Sequence, residues 1–267
     1  WYADHSFGNQ DLEKWTSCSE IRHVLETKDH VTICVESKER TWELMIYPVV
    51  GGFRMVAGKK GFFDGKPEAF SMEESEHAYI IRSKEHEMIL KKETLEISID
   101  RKAITNLKNI SFIFEKESVS ASRIQFSIHE NSAIYGFGER FDSVNQYGKT
   151  VALWQRDACE GCLASIGNQA YKNIPLVHTS DGFSFFANTS YRMRMDVGDA
   201  VQDYLSVEAL GDVFDFYIWS GTPREAMTAY GTLTGLPIFP PEWVFEPWAG
   251  GGGGRWRNGP LQDIALE

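Results

Sequence analysis

At 267 residues the chain exceeds the roughly 100 to 200 residues of a common domain, while all-β sandwiches reach roughly 250 as one unit. A hydrophobic content of 42%, with 13% aromatic residues, supplies a sizeable core and excludes disorder as the default state. The net charge of −11, with no basic patch interleaved with aromatics, argues against nucleic acid and anionic membrane surfaces as partners.

The opening WYADHSFGNQ has neither the basic nor the apolar part of a leader, and no run reaches the roughly 18 apolar residues that span a bilayer. From residue 31 the sequence becomes a succession of short alternating runs. VTICVE, WELMIYP, FRMVA, YIIRS, LEISID, ISFIFE and RIQFSIHE come first; IPLVHTS, GFSFFANTS, RMRMDVG and VFDFYIWSG continue the habit. Each is rich in β-branched or aromatic residues and bounded by charged or Gly/Pro-containing breaks, the spacing of a sandwich of antiparallel strands.

A helix is predicted over TPREAMTAYGTLTG, residues 222 to 235. Thr222 and Glu225 have capping-box spacing, Pro223 suits the first helical position, and Gly235 is placed to end the helix. Its packing face is expected to be Ala226, Met227, Tyr230 and Leu233. Pro237, Pro240 and Pro241 then make a stiff connector, followed by a predicted buried strand from Trp243 to Trp248, a run of five glycines, and a helix start at NGPLQDIALE. The expected division is a β-sandwich over 1–236, and a connector with one βα unit of a second architecture over 237–267.

For chemistry, the seven histidines lack ligand spacing and there is no Gly-x-Ser-x-Gly, so no metal or Ser-His-Asp site is predicted. The four cysteines are too few and too uneven for a disulfide scaffold. Cys159 and Cys162 form a CxxC with no second ligand pair, and are read as reduced thiols in a loop. That reading leans towards the cytoplasm. One segment, IYGFGERFDSVNQYGKTVALWQRDACEG, combines aromatic planes with charged groups and turn glycines suited to a sugar. A core-plus-turn role is the competing reading of the same composition.

Gly-x-Gly-Glu-Arg-Phe at 136–141, Tyr-Lys-Asn-x-Pro at 171–175, the strand ending in Gly-Thr-Pro at 221–223, and Thr-Gly-x-Pro followed by Pro-Pro-x-Trp occur in that order. Together they resemble the N-terminal part of glycoside hydrolase family 31, which holds α-glucosidases, α-xylosidases and α-transglucosylases. The resemblance implies an all-β fold, a galactose-mutarotase-like antiparallel β-sandwich, followed by the first βα element of a truncated TIM barrel. It implies an α-glucosidase acting on α-linked oligosaccharide, with no metal or organic cofactor; an α-xylosidase, an α-transglucosylase and a stand-alone carbohydrate-binding sandwich are the alternatives. The family's catalytic aspartates fall beyond Glu267 in this reading, so this segment alone is expected to be inactive. Three residues carry over as substrate contacts on a loop reaching from the sandwich: Asp157, Arg156 and Trp154. Glu139 and Arg140 are expected to form an internal ion pair holding the turn, and Tyr171 and Lys172 to pack as a strand beside the loop. Subunit number is left open.

Overall fold

The computed structural model describes residues 15–37, 40–58, 67–116, 118–140, 142–155 and 170–247. It is built almost entirely from antiparallel strands, as the alternating runs predict. The first half holds β1 (Thr16–Ser17), β2 (Glu20–Glu26), β3 (Val31–Glu36), β4 (Thr41–Val49), β5 (Gly52–Gly58), β6 (Ser71–Glu74), β7 (Ala78–Arg82), β8 (Glu87–Lys91) and β9 (Glu96–Ile99). Then come β10 (Lys102–Asn106), β11 (Ile110–Glu115), β12 (Ser118–Ser127), β13 (Ile134–Gly138) and β14 (Lys149–Leu153). β15 (Asn173–Thr179), β16 (Phe183–Ala187), β17 (Met193–Val197), β18 (Tyr204–Leu210) and β19 (Val213–Ser220) complete the set, and one helix, α1 (Pro223–Thr234), follows.

Two sheets form the sandwich. One has six strands in the order β1-β11-β12-β18-β17-β14; the other has eight, β13-β15-β16-β19-β5-β4-β3-β2. A five-stranded sheet, β10-β9-β8-β7-β6, adds its inward residues Ile81, Met88, Leu90, Ile97 and Ile99 to the same core. Strand period sets what each face sees. Along β18 the inward Leu205, Val207 and Ala209 are buried while Tyr204, Ser206 and Glu208 face out. Along β19 the inward Phe214, Phe216 and Ile218 join the central core.

Aromatic rings dominate that core. Phe126 stacks on Phe185 with centroids 4.5 Å apart, and meets Phe183 and Phe216 at 5.8 and 6.4 Å. Each fully buried ring contributes about 1.5–3 kcal/mol from area alone. On the opposite face of the eight-stranded sheet, Arg54 and Asp215 are 2% and 4% exposed and pair bidentately, at 2.7 and 2.5 Å. Asn188 donates a further bond to Asp215 at 2.8 Å. Burial works against the Arg54 charge, the Asp215 carboxylate outweighs it, and the guanidinium is held above its usual range.

The helix begins as its capping box predicts: the Thr222 amide and hydroxyl donate to Glu225 Oε2 at 2.7 and 2.8 Å. Its packing face differs from the expected one. Ala226 and Ala229 are buried, with Tyr230 partly so, against Val49, Leu176, Tyr217 and Trp219, whereas Met227 and Leu233 are exposed. The sheet beneath already presents Tyr217 and Trp219, so close approach selects the small side chains.

By contacts the chain divides into Trp1–Thr234 and Gly235–Glu267. In the second unit the predicted strand from Trp243 is absent over the described residues: Glu242–Phe245 is a 3-10 turn, with the Val244 amide donating to Pro241 O and the Glu246 amide to Trp243 O. Proline has no N–H for a ladder, and Pro240-Pro241 instead opens a helical turn. The rest of the expected βα unit, from Trp248 on, lies outside the described residues.

Candidate functional site

The sugar-suited segment begins at β13, and its two motif glycines are structural necessities. Gly136, Phe137 and Gly138 have φ of 116°, 65° and 83°, where only glycine sits without strain. A Cβ on Gly136 would lie 2.2 Å from Leu176 O, and one on Gly138 2.0 Å from Lys172 O. The pairing with β15 shifts register between these glycines. This is a bulge, a device that bends a strand and re-aims its side chains. Phe137 tolerates the left-handed conformation because its ring is wholly buried in the core, a local cost of about 1–3 kcal/mol held in place by the surrounding packing.

The two residues after the bulge diverge, and the expected Glu139–Arg140 ion pair does not form. The Glu139 amide donates to Lys172 O at 2.9 Å and its carboxylate takes the Lys172 ammonium at 3.2 Å. Arg140 Nη2 donates to Asn173 Oδ1 at 2.5 Å, with longer bonds to Phe137 O and Ala152 O at 3.3 and 3.4 Å. Adjacent side chains in extended backbone point to opposite sides, so each finds its own partner. Lys172 is consumed by Glu139, and Tyr171 is exposed ahead of β15, so neither packs as a strand.

Arg140 joins the motif turn to the end of β14, through Ala152, and to the start of β15, through Asn173. These are the two ends of segment 156–169. Further ties draw them together: Gln155 and Ala170 form an isolated bridge, Gln155 Nε2 donates to Asn173 O at 3.4 Å, and Asn173 Nδ2 to Ala170 O at 3.1 Å. Ala170 and Asn173 are buried. Burial, opposed only by the pull of Asp142, holds the Arg140 guanidinium below its usual range. Its Nε and Nη1 are buried without a hydrogen-bond partner among the described residues. A second turn braces the same region. The Asp142 carboxylate accepts from Lys149 Nζ at 2.7 Å, the Ser143 amide at 2.8 Å and Gln146 Nε2 at 3.1 Å.

Of the three predicted contacts, Arg156 and Asp157 lie outside the described residues, as do Cys159 and Cys162. Trp154 stands between the end of β14 and the bridge residue Gln155, 48% exposed, with the Arg192 guanidinium 5.9 Å from its ring centroid. What the structure adds is the supporting set of Arg140, Asn173, Gln155 and Asp142. Sequence reading named Arg140 for another partner and passed over the other three.

The profile of the glycosyl hydrolase 31 N-terminal galactose mutarotase-like domain matches residues 26–196. The chain belongs to glycoside hydrolase family 31. An α-xylosidase of Lactiplantibacillus pentosus is 34% identical over 131 residues, covering 49% of this chain and 16% of that protein. Alpha-glucosidase 2 of Bacillus thermoamyloliquefaciens is 24% identical over 182 residues, covering 65% and 22%. Among solved structures, the cycloalternan-forming enzyme of Listeria monocytogenes superposes with a TM-score of 0.77 over 86% of this chain and 23% of that one, at 18% identity. The sandwich is therefore the family 31 N-terminal fold, and the chain spans between about a sixth and a quarter of the length of these proteins.

Proposed function

We propose that this chain is the N-terminal β-sandwich of a retaining α-glycosidase, most simply an α-glucosidase acting on α-linked glucosides in carbohydrate metabolism. In this reading it lends the active site a substrate-contacting loop, while the catalytic carboxylate pair, which a retaining mechanism needs about 5–5.5 Å apart, belongs to the remainder of the enzyme. The chain alone is then inactive. The observation that carries the reading is the stem of segment 156–169, tied by the Gln155–Ala170 bridge and by Arg140 to both flanking strands. A loop meant to position a ligand needs such a fixed base.

Asp157 is assigned the hydroxyl contacts, since a carboxylate accepts bonds from two neighbouring hydroxyls; Arg156 orients it. Trp154 offers an indole face or anchors the loop through Arg192. An α-xylosidase is the second reading, favoured by the 34% identity to the Lactiplantibacillus pentosus α-xylosidase. The buried free thiols Cys18 and Cys34 support a reducing, cytoplasmic setting.

The test is kinetics of the full-length enzyme on aryl α-glucoside and aryl α-xyloside. Higher kcat/KM on the glucoside is expected, with Asp157→Ala lowering it about 10- to 150-fold, as loss of a charged hydrogen bond worth about 1.5–3 kcal/mol predicts. Preference for the xyloside selects the second reading. Unchanged turnover in the variant would remove Asp157 from the pocket.

A further inference from the structure

Away from the segment that carries the functional proposal, the solvent face of the six-stranded sheet holds a groove of about 170 Å³ across β12, β18 and β17. Antiparallel register builds it in rows. Arg123, Glu208 and Arg194 stand side by side across the three strands, and Gln125, Ser206 and Asp196 form the next row. Tyr204 and the exposed Val201 close one end.

Some of these groups are already committed. Arg123 donates through both Nε and Nη2 to the same oxygen of Glu208, Oε1, at 2.9 and 2.7 Å, and stacks on Trp15 with 3.9 Å to the ring centroid. Asp196 accepts from the amides of Asp199 and Ala200. Others are unspent. Among the described residues the Arg194 guanidinium, the Gln125 amide, the Ser206 and Tyr204 hydroxyls and Glu208 Oε2 make no hydrogen bond.

The groove thus offers strong donors, a strong acceptor, two-way hydroxyls and an apolar edge within one small volume. Two guanidinium groups and two carboxylates leave it with no formal charge. An anion at Arg194 would face Glu208 and Asp196 inside a chain of net charge −11, and a cation would face Arg123 and Arg194. A neutral polyol escapes both penalties: its hydroxyls donate to Glu208 and accept from Arg194 and Gln125, and its C–H face packs on Tyr204 and Val201. The volume is well below the roughly 300 Å³ at which drug-sized sites begin, which suits a single ring. We propose that this face is a binding groove for one neutral pyranose unit of a saccharide.

The inference does not rest on the loop assigned above, and the test separates the two. The 267-residue chain, isotopically labelled, is titrated with methyl α-D-glucopyranoside and with maltotriose, and amide and arginine Nε–H resonances are followed by NMR. Saturable shifts centred on Arg194, Gln125, Ser206 and Tyr204 are expected, with a dissociation constant on the order of millimolar, as so small a contact area implies. Arg194→Ala, at a half-buried face residue whose guanidinium makes no hydrogen bond or ion pair among the described residues, should weaken binding about five-fold or more at unchanged thermal stability, and Tyr204→Phe should weaken it less. Shifts confined to Trp154 and its neighbours, no saturable shift for either sugar, or tighter binding of inorganic sulfate than of sugar would each overturn the groove.

Discussion

The most exacting test of the fold is removal of one charge from the Arg54–Asp215 pair. Asp215→Ala deletes a carboxylate that receives two bonds from Arg54 and one from Asn188. It leaves a guanidinium 2% exposed, its carbon 5.1 Å from the Tyr217 ring centroid, without the carboxylate that balances its charge. Breaking a buried pair from one side costs about 3–5 kcal/mol, and three lost bonds place this case towards the upper end. For a folded unit of this size each kcal/mol moves the melting temperature about 2–4 °C, so a drop on the order of 10–20 °C is expected in thermal unfolding followed by circular dichroism. The companion double variant Arg54→Met/Asp215→Val removes both charges and should recover more than half of the loss, because most of the penalty is the stranded charge. If Asp215→Ala lowers the melting temperature by less than about 3 °C, or the double variant is no better than the single, the reasoning fails.

Two further predictions concern the candidate site. Arg140→Met should lower stability by about 1–3 kcal/mol, since one charged bond and two long ones are lost while a poorly satisfied buried charge is relieved; it should also speed proteolytic cleavage between residues 155 and 170, and equal cleavage rates would refute the stem assignment. Asp142 carries a pH dependence. Burial pushes its carboxyl up, but the bonds from Lys149, Gln146 and the Ser143 amide outweigh this and bring it down from 3.8 to about 2. A depressed carboxyl stabilises the fold above its unfolded value and loses that contribution as pH falls through its folded value. At 1.36 kcal/mol per pH unit the drop corresponds to about 2.4 kcal/mol, which solvent screening at this partly open turn reduces to about 1 kcal/mol. Urea unfolding should show wild type exceeding Asp142→Asn by that amount from pH 5 to 7, with about half remaining near pH 3. A difference independent of pH would sink the assignment.

The strands most legible in the sequence are those in which a run of β-branched and aromatic residues coincides with near-continuous burial. Val31–Glu36 and Ile110–Glu115 match their predicted runs residue for residue. Missed strands lack that coincidence. Glu20–Glu26 is an edge strand with no fully buried residue, where charged residues guard against further pairing. Tyr204–Leu210, YLSVEAL, has the composition of a helix and the burial of a strand, because its neighbours on both sides impose the period. Ile134–Gly138 was hidden by its own glycines, which signal a turn when the chain is read alone and a bulge once β15 lies beside it. The same limit governs the site. Its motif residues were visible, but Arg140 takes its partner 33 positions later and Glu139 pairs with Lys172, equally distant; such partners are set by topology, which local patterns do not contain.

This gives the Gly-x-Gly-Glu-Arg stretch a physical meaning separate from chemistry. Two glycines permit a bulge that any side chain would block, through clashes with Lys172 O and Leu176 O. The bulge sends Glu139 to Lys172 and Arg140 to Asn173, so β13 is locked to the strand that follows segment 156–169. The third Arg140 bond, to Ala152 O, reaches the strand that precedes it. A lysine, with one point charge in place of a planar fork, would not span these acceptors. The proposed function puts ligand contacts on segment 156–169, and a ligand contact misplaced by about 1 Å loses much of its value. Under that proposal, holding Ala152 and Asn173, one on each side of the segment, to the same motif turn meets the need, and it accounts for strained backbone in β13.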